Sequence, residues 1–297
     1  MSRVTVMDGG MGAELVRRGA ISESEDGLWS AQALIDAPEA VVAAHRDFIA
    51  AGAGMIITNS YACVPGWLAK AGIADRYAEL AAEAGRLARK AADEADAEVQ
   101  VAGGLPPLSL SYQAELVPDA AEAGPIYESL ARAMEPFVDL YICETMSSIR
   151  ESVTAVAAAQ LVAADRGLPV FVAWTLDERP GFGLRSGESV REAWAALAEI
   201  GTDGFLFNCT HPDAIESAIV EMASLTDKPT GGYPNRFDVP HDWAGENARL
   251  RHRADFGTEQ FVAAGLRWVG HGATVVGGCC RITPADIAAF SDRLGRN

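Results

Sequence analysis

The stretch ATVVGGCC at residues 273–280 decides the fold of this chain. A short β-rich run, residues 273–276, ends in two glycines, which let a backbone bend sharply or a ligand approach closely. Cys279 and Cys280 follow at once, and adjacent cysteines rarely join each other because the resulting ring strains normal disulfide geometry. The stretch therefore predicts a strand whose C-terminal end presents two free thiols.

These two thiols predict a metal site. Two thiolates at the end of a strand can bind a soft metal ion, and Cys209, in the run FNCT at residues 207–210, is a candidate third ligand. Three sulfur ligands on zinc leave one tetrahedral position open, which is the arrangement of a catalytic site and not of a structural one.

Three other interpretations of the same residues stay open at this level. Free cysteines are often only small buried hydrophobes. Gly277 and Gly278 could form a phosphate-binding turn, a common use of the last loops of a barrel, although the cysteines would then be unexplained. A structural zinc site would need a fourth protein ligand and usually has cysteine pairs two to four residues apart. The sequence contains no CxxC pair.

The amino-acid composition limits the number of domains and the classes of protein to which the chain can belong. The 297 residues are 49% hydrophobic and 22% charged, which is enough apolar material for a core in one large domain or two smaller ones. Five cysteines, an odd number, do not suggest a disulfide framework. The first residues show no signal or transit pattern, and the apolar runs are far shorter than the ~20 residues that span a bilayer. We therefore expect a cytoplasmic protein without a membrane segment.

The charge balance is strongly acidic. Lys and Arg number 24 against 41 Asp and Glu, a formal net charge of −17. Such a surface repels phosphate backbones, so we do not expect nucleic acid as a partner.

Runs rich in β-forming residues alternate with helix-like stretches along the whole chain. The runs lie at residues 4–7, 54–58, 99–103, 138–143, 169–174, 204–208, 229–233 and a last one that begins at 268 or 273 and ends at 276. The helix-like stretches lie at residues 12–18, 38–51, 76–95, 125–134, 149–165, 189–200, 212–225, 257–264 and 284–294. This alternation predicts parallel βαβ units and a (β/α)8 TIM barrel in a single domain, residues 1–297. A doubly wound open sheet is the alternative, but DGGMG at residues 8–12 lacks the GxGxxG spacing of a dinucleotide fold.

A barrel makes a further prediction, since catalytic residues of this fold lie just after the C-terminal ends of the strands. Polar and sulfur-bearing side chains follow the predicted strands at Asp8, Asn59, Tyr61, Glu144, Trp174, Thr175, Cys209, Tyr233, Asn235, Cys279 and Cys280. Cys209 belongs to the sixth strand and the cysteine pair to the eighth, and the ends of these strands are near each other in a closed barrel. We therefore expect the three sulfurs at one rim.

The ordered set of motifs resembles the homocysteine S-methyltransferase family, the zinc-dependent methyltransferases that include the betaine- and S-methylmethionine-using enzymes. The markers are MDGGMG at residues 7–12, CET at 143–145, NCT at 208–210, YPN at 233–235 and GGCC at 277–280. They span nearly the whole chain. The family's fold is a (β/α)8 barrel, in agreement with the alternation of strands and helices.

The resemblance implies a role for each matching residue. The residues that would bind Zn²⁺ and carry the chemistry are Cys209, Cys279 and Cys280. Glu144 would hold the amino group of the amino-acid substrate, and Asp8, with Gly9 and Gly10, would line the same pocket. Asn235 is a further candidate for substrate binding. Turn formation is the alternative role for Asp8 and for Asn235.

The reaction that the resemblance implies is methyl transfer from a small onium donor to the thiolate of homocysteine, giving methionine. A free thiol with a pKa of about 8.5 is mostly protonated at neutral pH, and coordination to Zn²⁺ removes that proton. S-methylmethionine or S-adenosylmethionine is the favoured donor, because the chain is compact and shows no cobalamin or folate domain. Trp67, Trp174 and Tyr233 are candidates for holding the onium group by cation–π contact.

One region departs from the family. After the YPN motif the chain continues with RFD, where many relatives carry a Ser/Ala-Gly stretch, and the segment 236–255 is long and rich in Arg and His. We expect Arg236 to point away from the donor or to pair with Asp238. Phe237 or Trp243 is expected to close over the donor as a lid.

Two functions from other classes remain at this level. One is a barrel lyase that acts on a phosphorylated substrate, with GGCC as its phosphate loop. The other is a non-catalytic relative that binds zinc or a thiol. The sequence does not determine the oligomeric state, and a homo-oligomer is compatible with it.

Overall fold

The computed structural model of the protein describes residues 4–22, 28–240, 243 and 250–295. It consists of parallel strands surrounded by helices. The elements up to the middle of the chain are β1 (Thr5–Val6), α1 (Met11–Arg17), α2 (Ser30–Asp36), α3 (Pro38–Ala50), β2 (Met55–Ile57), α4 (Pro65–Leu68), α5 (Tyr77–Asp93), β3 (Gln100–Leu105), α6 (Ala120–Met134) and β4 (Leu140–Met146). Those that follow are α7 (Ile149–Ala163), β5 (Val170–Trp174), α8 (Val190–Glu199), β6 (Gly204–Asn208), α9 (Pro212–Met222), β7 (Thr230–Tyr233), β8 (Phe237–Asp238), β9 (Arg251–His252), α10 (Thr258–Gly270), β10 (Val275–Val276) and α11 (Pro284–Leu294). Short 3₁₀ turns lie at Ala69–Ala71, Ala74–Arg76, Ala114–Leu116 and Glu135–Phe137.

The main sheet closes on itself. Its eight strands have the order β1-β10-β7-β6-β5-β4-β3-β2, and all neighbours in this order are parallel. The two outer strands meet where Met7 pairs with Met55, and the Asp8 N–H donates to the Met55 carbonyl at 3.0 Å. The predicted (β/α)8 TIM barrel is therefore confirmed, and the open doubly wound sheet is excluded.

Side chains alternate between two apolar layers, because successive residues of a strand point to opposite faces. The barrel interior is filled by Met7, Met55, Ala102, Leu140, Ile142, Phe171, Ala173, Leu206, Tyr233 and Val275. The larger layer lies between strands and helices and includes Trp174, Phe205, Phe207 and Trp268. Since the interior is packed, ligands must bind at the rim, as is usual for this fold.

Helix starts follow their sequence signals. In α8 the Ser189 hydroxyl accepts from the Glu192 N–H, and the Glu192 carboxylate accepts from the Ser189 N–H. In α9 the ring nitrogen Nδ1 of His211 accepts from the Asp213 N–H at 3.1 Å. These contacts satisfy N–H groups that have no partner inside the helix.

The predicted start of one helix was wrong, and so was one of the two starts predicted for the last strand. Helix α6 begins at Ala120, so Pro125 lies inside it. The proline removes one backbone hydrogen bond, but Tyr127, Leu130 and other residues of α6 are buried where it packs against α7. Trp268 belongs to α10 and not to the last strand, because its fully buried indole packs in the layer outside the barrel.

The assignment of all 297 residues to one domain stays a prediction. Within the ranges that the structure describes, no helix combines the length and the apolar character needed to cross a membrane.

Candidate active site

Three cysteine sulfurs converge at the C-terminal rim of the barrel. Cys209 follows β6 directly, and Cys279 and Cys280 follow β10, with β7 between these two strands. The Sγ atoms of Cys209 and Cys279 are 3.0 Å apart, those of Cys209 and Cys280 3.7 Å, and those of Cys279 and Cys280 3.9 Å. All three cysteines are free thiols. The predicted convergence is confirmed.

This set of donors fits zinc. A tetrahedral zinc ion with Zn–S bonds of about 2.3 Å separates its sulfur ligands by about 3.8 Å. The distances of 3.7 and 3.9 Å match this spacing, and the 3.0 Å contact is shorter. Three soft sulfur donors favour zinc or another thiophilic ion over magnesium or calcium. Among the described residues, these three cysteines form the group of side chains whose ligand atoms are close enough together to hold one metal ion.

The backbone around the cysteines is strained and strongly held. Cys209 has φ of +53° and Thr145 has φ of +60°, a region that residues other than glycine seldom adopt. The Cys209 N–H donates to the Tyr233 carbonyl at 3.0 Å, and its carbonyl accepts from the Asn235 side chain at 2.9 Å. Thr145 exchanges two hydrogen bonds with the Asn208 side chain, at 2.9 and 2.8 Å. These contacts aim the Cys209 side chain at its partners.

The Asn235 side chain contacts Cys209 directly. Its amide nitrogen lies 2.9 Å from the Cys209 carbonyl and 3.7 Å from the Cys209 sulfur, and its amide oxygen accepts from the Phe237 N–H. The side chain therefore positions Cys209. Its predicted contact with substrate stays a prediction.

Backbone hydrogen bonds hold the glycine turn before the cysteine pair against the barrel. The N–H groups of Gly277, Gly278 and Cys279 donate to the carbonyls of Gly232, Asp8 and Pro234 at 3.1, 2.8 and 2.8 Å. A phosphate-binding turn needs such amides free to face the ligand. The turn is therefore a support for the cysteines.

Gly9 and Gly10 pack against that turn. A Cβ atom on Gly10 would lie 2.9 Å from the Cys279 carbonyl oxygen, and one on Gly9 would lie 2.5 Å from the Ile282 carbonyl oxygen. Both are closer than a real Cβ contact allows, so only glycine lets the β1–α1 loop approach the cysteines. Their predicted role in lining the substrate pocket stays a prediction.

Two buried carboxyl groups lie near the sulfurs. Asp8 is 3% exposed and Glu144 6%, and neither has an ion-pair partner among the described residues. One Asp8 oxygen accepts from the Ile57 N–H at 2.9 Å. Burial raises the pKa of Asp8 to about 8, and burial together with negative charge on Cys209 and Asp8 raises that of Glu144 to about 8. Such a pair is suited to a cationic group of a ligand.

Gly104 makes room for one of these acids. A Cβ atom on Gly104 would lie only 2.8 Å from the Glu144 Oε1 atom. The glycine of β3 therefore permits the Glu144 carboxyl group to lie against the neighbouring strand.

The hydroxyl of Tyr233 is buried without a partner. The side chain is 1% exposed and belongs to the barrel interior, and its oxygen makes no hydrogen bond among the described residues. Burial raises the pKa of Tyr233, and negative charge on Glu144 and Cys279 raises it further. A buried hydroxyl without a partner costs about 1–3 kcal/mol. It is therefore available to a ligand between the acids and the sulfurs.

Tyr112 was missed by sequence reasoning, because it follows β3 in a loop without a motif. Its hydroxyl donates to the Cys209 sulfur at 3.0 Å. Hydrogen bonds from Cys279, Cys280 and Tyr112 lower the pKa of Cys209. The ring of Trp243 meets the ring of Tyr112 edge-on, with centroids 5.4 Å apart.

One of the predicted aromatic candidates does not face the site, and a second carries a lysine on its ring. The Trp174 indole lies in the outer layer, where its Nε1 donates to the Ser152 hydroxyl at 2.8 Å and its ring stacks on Phe205. Trp67 carries the Lys70 ammonium 4.0 Å from its ring centroid. The Trp174 ring is therefore not free for an onium group, whereas the predicted role of Trp67 stays a prediction.

The segment after β7 differs in part from its prediction. Arg236 pairs with Asp286 at 2.7 Å, so the predicted pair with Asp238 was wrong, because Asp238 pairs with Arg253 at 3.0 Å. The ring of Phe237 lies against the Arg281 guanidinium. Of the segment 236–255, residues 241–242 and 244–249 lie outside the described residues, and the closure of Phe237 or Trp243 over a donor stays a prediction.

The remaining cysteines belong to the core. Cys63 and Cys143 are fully buried among apolar side chains, and burial raises the pKa of both thiols. They take no part in the sulfur cluster.

Comparison with known proteins agrees with this geometry. The profile described as homocysteine S-methyltransferase matches residues 5–294. A homocysteine S-methyltransferase of Escherichia coli (strain K12) is 31% identical over 98% of this chain and 95% of its own length. A selenocysteine Se-methyltransferase of Brassica oleracea var. italica is 30% identical over 97% of this chain and 88% of its own length. The metallated form of the homocysteine methyltransferase MmuM from E. coli superposes with a TM-score of 0.80, at 26% identity over 98% of this chain and 96% of that chain. The chain belongs to the homocysteine S-methyltransferase family and is a methyltransferase.

Proposed function

We propose that the protein is a zinc-dependent enzyme that transfers a methyl group from a small onium donor to the thiolate of homocysteine, giving methionine. The observation that carries the proposal is the convergence of three cysteine sulfurs at distances of 3.0 to 3.9 Å. Two buried carboxyl groups lie beside them. A metallated form of the E. coli relative supports a metal in this family.

Cys209, Cys279 and Cys280 would hold the Zn²⁺ ion. When bound, the ion supplies a Lewis acid that favours the thiolate form of the substrate at neutral pH. The protein contributes the alignment of the three ligands, because Asn235 and the Tyr233 carbonyl restrain Cys209 in its unusual backbone conformation.

Glu144 and Asp8 would bind the substrate ammonium group. An ammonium beside two buried carboxyl groups favours their ionised form and so offsets the effect of burial on their pKa. The buried Tyr233 hydroxyl has no partner among the described residues, and a hydrogen bond to substrate would satisfy it. These groups would orient homocysteine so that its sulfur points towards the cysteines.

The onium donor would approach from the loops above the cysteines. The anionic sulfur cluster attracts a positive sulfonium, and the aromatic rings of Tyr112 and Trp243 offer contacts for it. The donor sulfur becomes neutral as the methyl group leaves, so no general acid is needed. S-methylmethionine and S-adenosylmethionine are the donors that we favour.

The alternatives are less well supported. A lyase that uses GGCC to bind phosphate would need the turn amides, which already donate to backbone carbonyls. A non-catalytic thiol-binding relative is separated from the proposal by a methyl-transfer assay. The five free cysteines suit a reducing compartment, and we keep the cytoplasm as the proposed location.

The test combines metal analysis with product analysis. Protein purified without chelators should contain about one zinc per chain. Homocysteine incubated with a panel of donors should yield methionine, detected by mass spectrometry, and selenohomocysteine should be tested beside it. Chelation should stop the reaction and added zinc should restore it. Activity that survives complete zinc removal, or no methyl transfer from any donor, would reject the proposal.

A further inference from the structure

Arg185 is a buried cation whose hydrogen-bonding capacity is only partly used. It lies in the loop between β5 and α8 and is 6% exposed. Its terminal nitrogens donate to the carbonyls of Pro240 at 2.8 Å and Val239 at 3.4 Å, and its Nε has no partner. A guanidinium has five N–H donors, so most of them remain for another acceptor.

No carboxylate of the described residues pairs with Arg185 at salt-bridge distance, although acidic residues lie nearby. Glu178 pairs with Arg253, and Asp177 pairs with Arg179 at 2.8 Å. Arginine stays charged in proteins, and burying a charge without a direct counter-ion is costly. A negatively charged group of a ligand would relieve this cost.

Arg185 and the sulfur cluster both contact Tyr112. The Arg185 guanidinium carbon is 5.5 Å from the centroid of the Tyr112 ring, whose hydroxyl is 3.0 Å from the Cys209 sulfur. One tyrosine side chain therefore has a buried cation over its ring and a cysteine sulfur at its hydroxyl. A ligand with a positive onium group and a carboxylate a few bonds away matches this polarity in one orientation.

We propose that Arg185 binds the carboxylate of the methyl donor and thereby selects zwitterionic onium donors. The inference rests on the proposed function and adds the class of donor to it. A guanidinium can hold a carboxylate through two parallel hydrogen bonds, which fixes orientation as well as charge. Arg185 is then a specificity-determining residue that directs the onium methyl group towards the cysteines.

The competing interpretation is that Arg185 only fastens residues Val239 and Pro240 to the β5–α8 loop. A fastening role predicts the same loss of activity with every donor. A carboxylate-binding role predicts a loss that depends on whether the donor has a free carboxylate. Matched donors therefore separate the two roles.

The experiment uses two pairs of donors with the full-length zinc enzyme. The pairs are S-methylmethionine with its carboxamide, and S-adenosylmethionine with its decarboxylated form. In the wild type, kcat/KM should fall about 10- to 150-fold from the acid to its partner, the size expected for a lost charge-assisted hydrogen bond. This part of the test needs no variant.

Variants of Arg185 then test whether this residue causes the difference in kcat/KM between the two donors of a pair. Arg185→Gln should bring the ratio between the two donors of a pair close to one, and Arg185→Lys should retain part of it. Arg179→Gln is the matched control, because Arg179 lies in the same loop, is 61% exposed and stacks on Phe182. Its ratio should equal that of the wild type. Zinc content and the homocysteine KM should not change in any of these variants.

The outcomes are distinguishable. Equal use of both donors of a pair by the wild type overturns the role of Arg185 but leaves the proposed function intact. An equal loss for both donors in Arg185→Gln shows that the residue only fastens the loop. Failure of the wild type to methylate homocysteine from any of these or other onium donors rejects the proposed function and the inference together.

Discussion

The two sides of the candidate site are built differently. The thiol side consists of Asp8, Glu144 and the cysteines, which lie within or directly after barrel strands and are held by backbone hydrogen bonds. The proposed donor side consists of Tyr112, Arg185 and Trp243, which come from three separate loops and meet through ring contacts. Under the proposed function, strand ends would supply the reaction chemistry and loops the choice of donor.

The two sides also differ in how their residues are restrained. Cys209 is held in a strained conformation by Tyr233 and Asn235, both from β7 or just after it. Trp243 depends on its contact with Tyr112 and on a hydrogen bond from the Gln113 side chain to its carbonyl. Changes on the thiol side should therefore stop the reaction, and changes on the donor side should alter selectivity.

The largest effect is expected from the metal ligands. Changing Cys209, Cys279 or Cys280 to Ala should abolish methyl transfer and remove bound zinc, because two sulfurs hold zinc poorly. When the proteins are compared without metal, each variant should unfold at nearly the same temperature as the wild type, since the sulfurs lie at the rim. Metal analysis, the transfer assay and calorimetry measure the three effects.

Cys63→Ala is the matched control. Cys63 is fully buried in the outer core, so this variant should lose stability while it keeps zinc and activity. Full zinc occupancy in a double variant, Cys279→Ala with Cys280→Ala, would contradict the ligand assignment.

The next effect is expected at Glu144. Glu144→Gln should raise the homocysteine KM about 10- to 150-fold, because a charge-assisted hydrogen bond to the ammonium group is worth about 1.5–3 kcal/mol. Zinc content should stay the same. Steady-state kinetics with saturating donor measures the change. Glu128→Gln, which removes a surface partner of Arg132, is the control, and an unchanged KM at Glu144→Gln would assign that carboxylate another role.

A smaller effect on the donor side is expected from Trp243→Ala. Loss of a cation–π contact between the Trp243 ring and the onium group costs about 1–2 kcal/mol, or roughly 5- to 30-fold in the donor KM. Homocysteine KM and zinc content should not change. This single substitution is a more specific test than removal of residues 238–247, because that removal would also delete the ion pair between Asp238 and Arg253.

Trp67→Ala serves as the control for this experiment, since the Trp67 ring already has a cation, the Lys70 ammonium, 4.0 Å from its centroid. It should leave the donor KM unchanged. If Trp243→Ala also keeps the wild-type donor KM and donor preference, the segment after β7 is a surface elaboration.

The smallest effect is expected from Tyr233→Phe. Loss of one neutral hydrogen bond to homocysteine costs about 1 kcal/mol, which raises KM about fivefold. The metal-free protein should be at least as stable as the wild type, because the hydroxyl has no partner there. Kinetics and thermal unfolding test both statements together. A lower unfolding temperature would show that the hydroxyl is already bonded in the free protein.

The thiol side could largely be predicted from sequence because its residues are tied to strand ends. Once the alternation of strands and helices indicates a closed barrel, the ends of the sixth and eighth strands must lie close, and the sulfurs of Cys209 and Cys279 with them. Trp174 shows the limit of this rule. It ends a strand, but its side chain points outwards and the preceding Ala173 points inwards, and period-two alternation alone does not say which face is inside.

The donor side could not be predicted in the same way. Tyr112 carries no motif, and Arg236 pairs with Asp286, which is 50 residues away, instead of with nearby Asp238. The contacts of Arg185 with Val239 and Pro240 span more than 50 residues as well. Such pairings depend on how loops pack against one another after the barrel has closed.

The sequence by itself determined the barrel, the place of the cysteines at its rim and the family to which the motifs point. These follow from local patterns, since a strand, a glycine turn and the residue after them are neighbours in the chain. Only the tertiary structure decided which tyrosine contacts Cys209, which hydroxyl and guanidinium are buried with unused donors, and which acid pairs with Arg236. Those properties arise from contacts between distant segments, for which the chain carries no local signal.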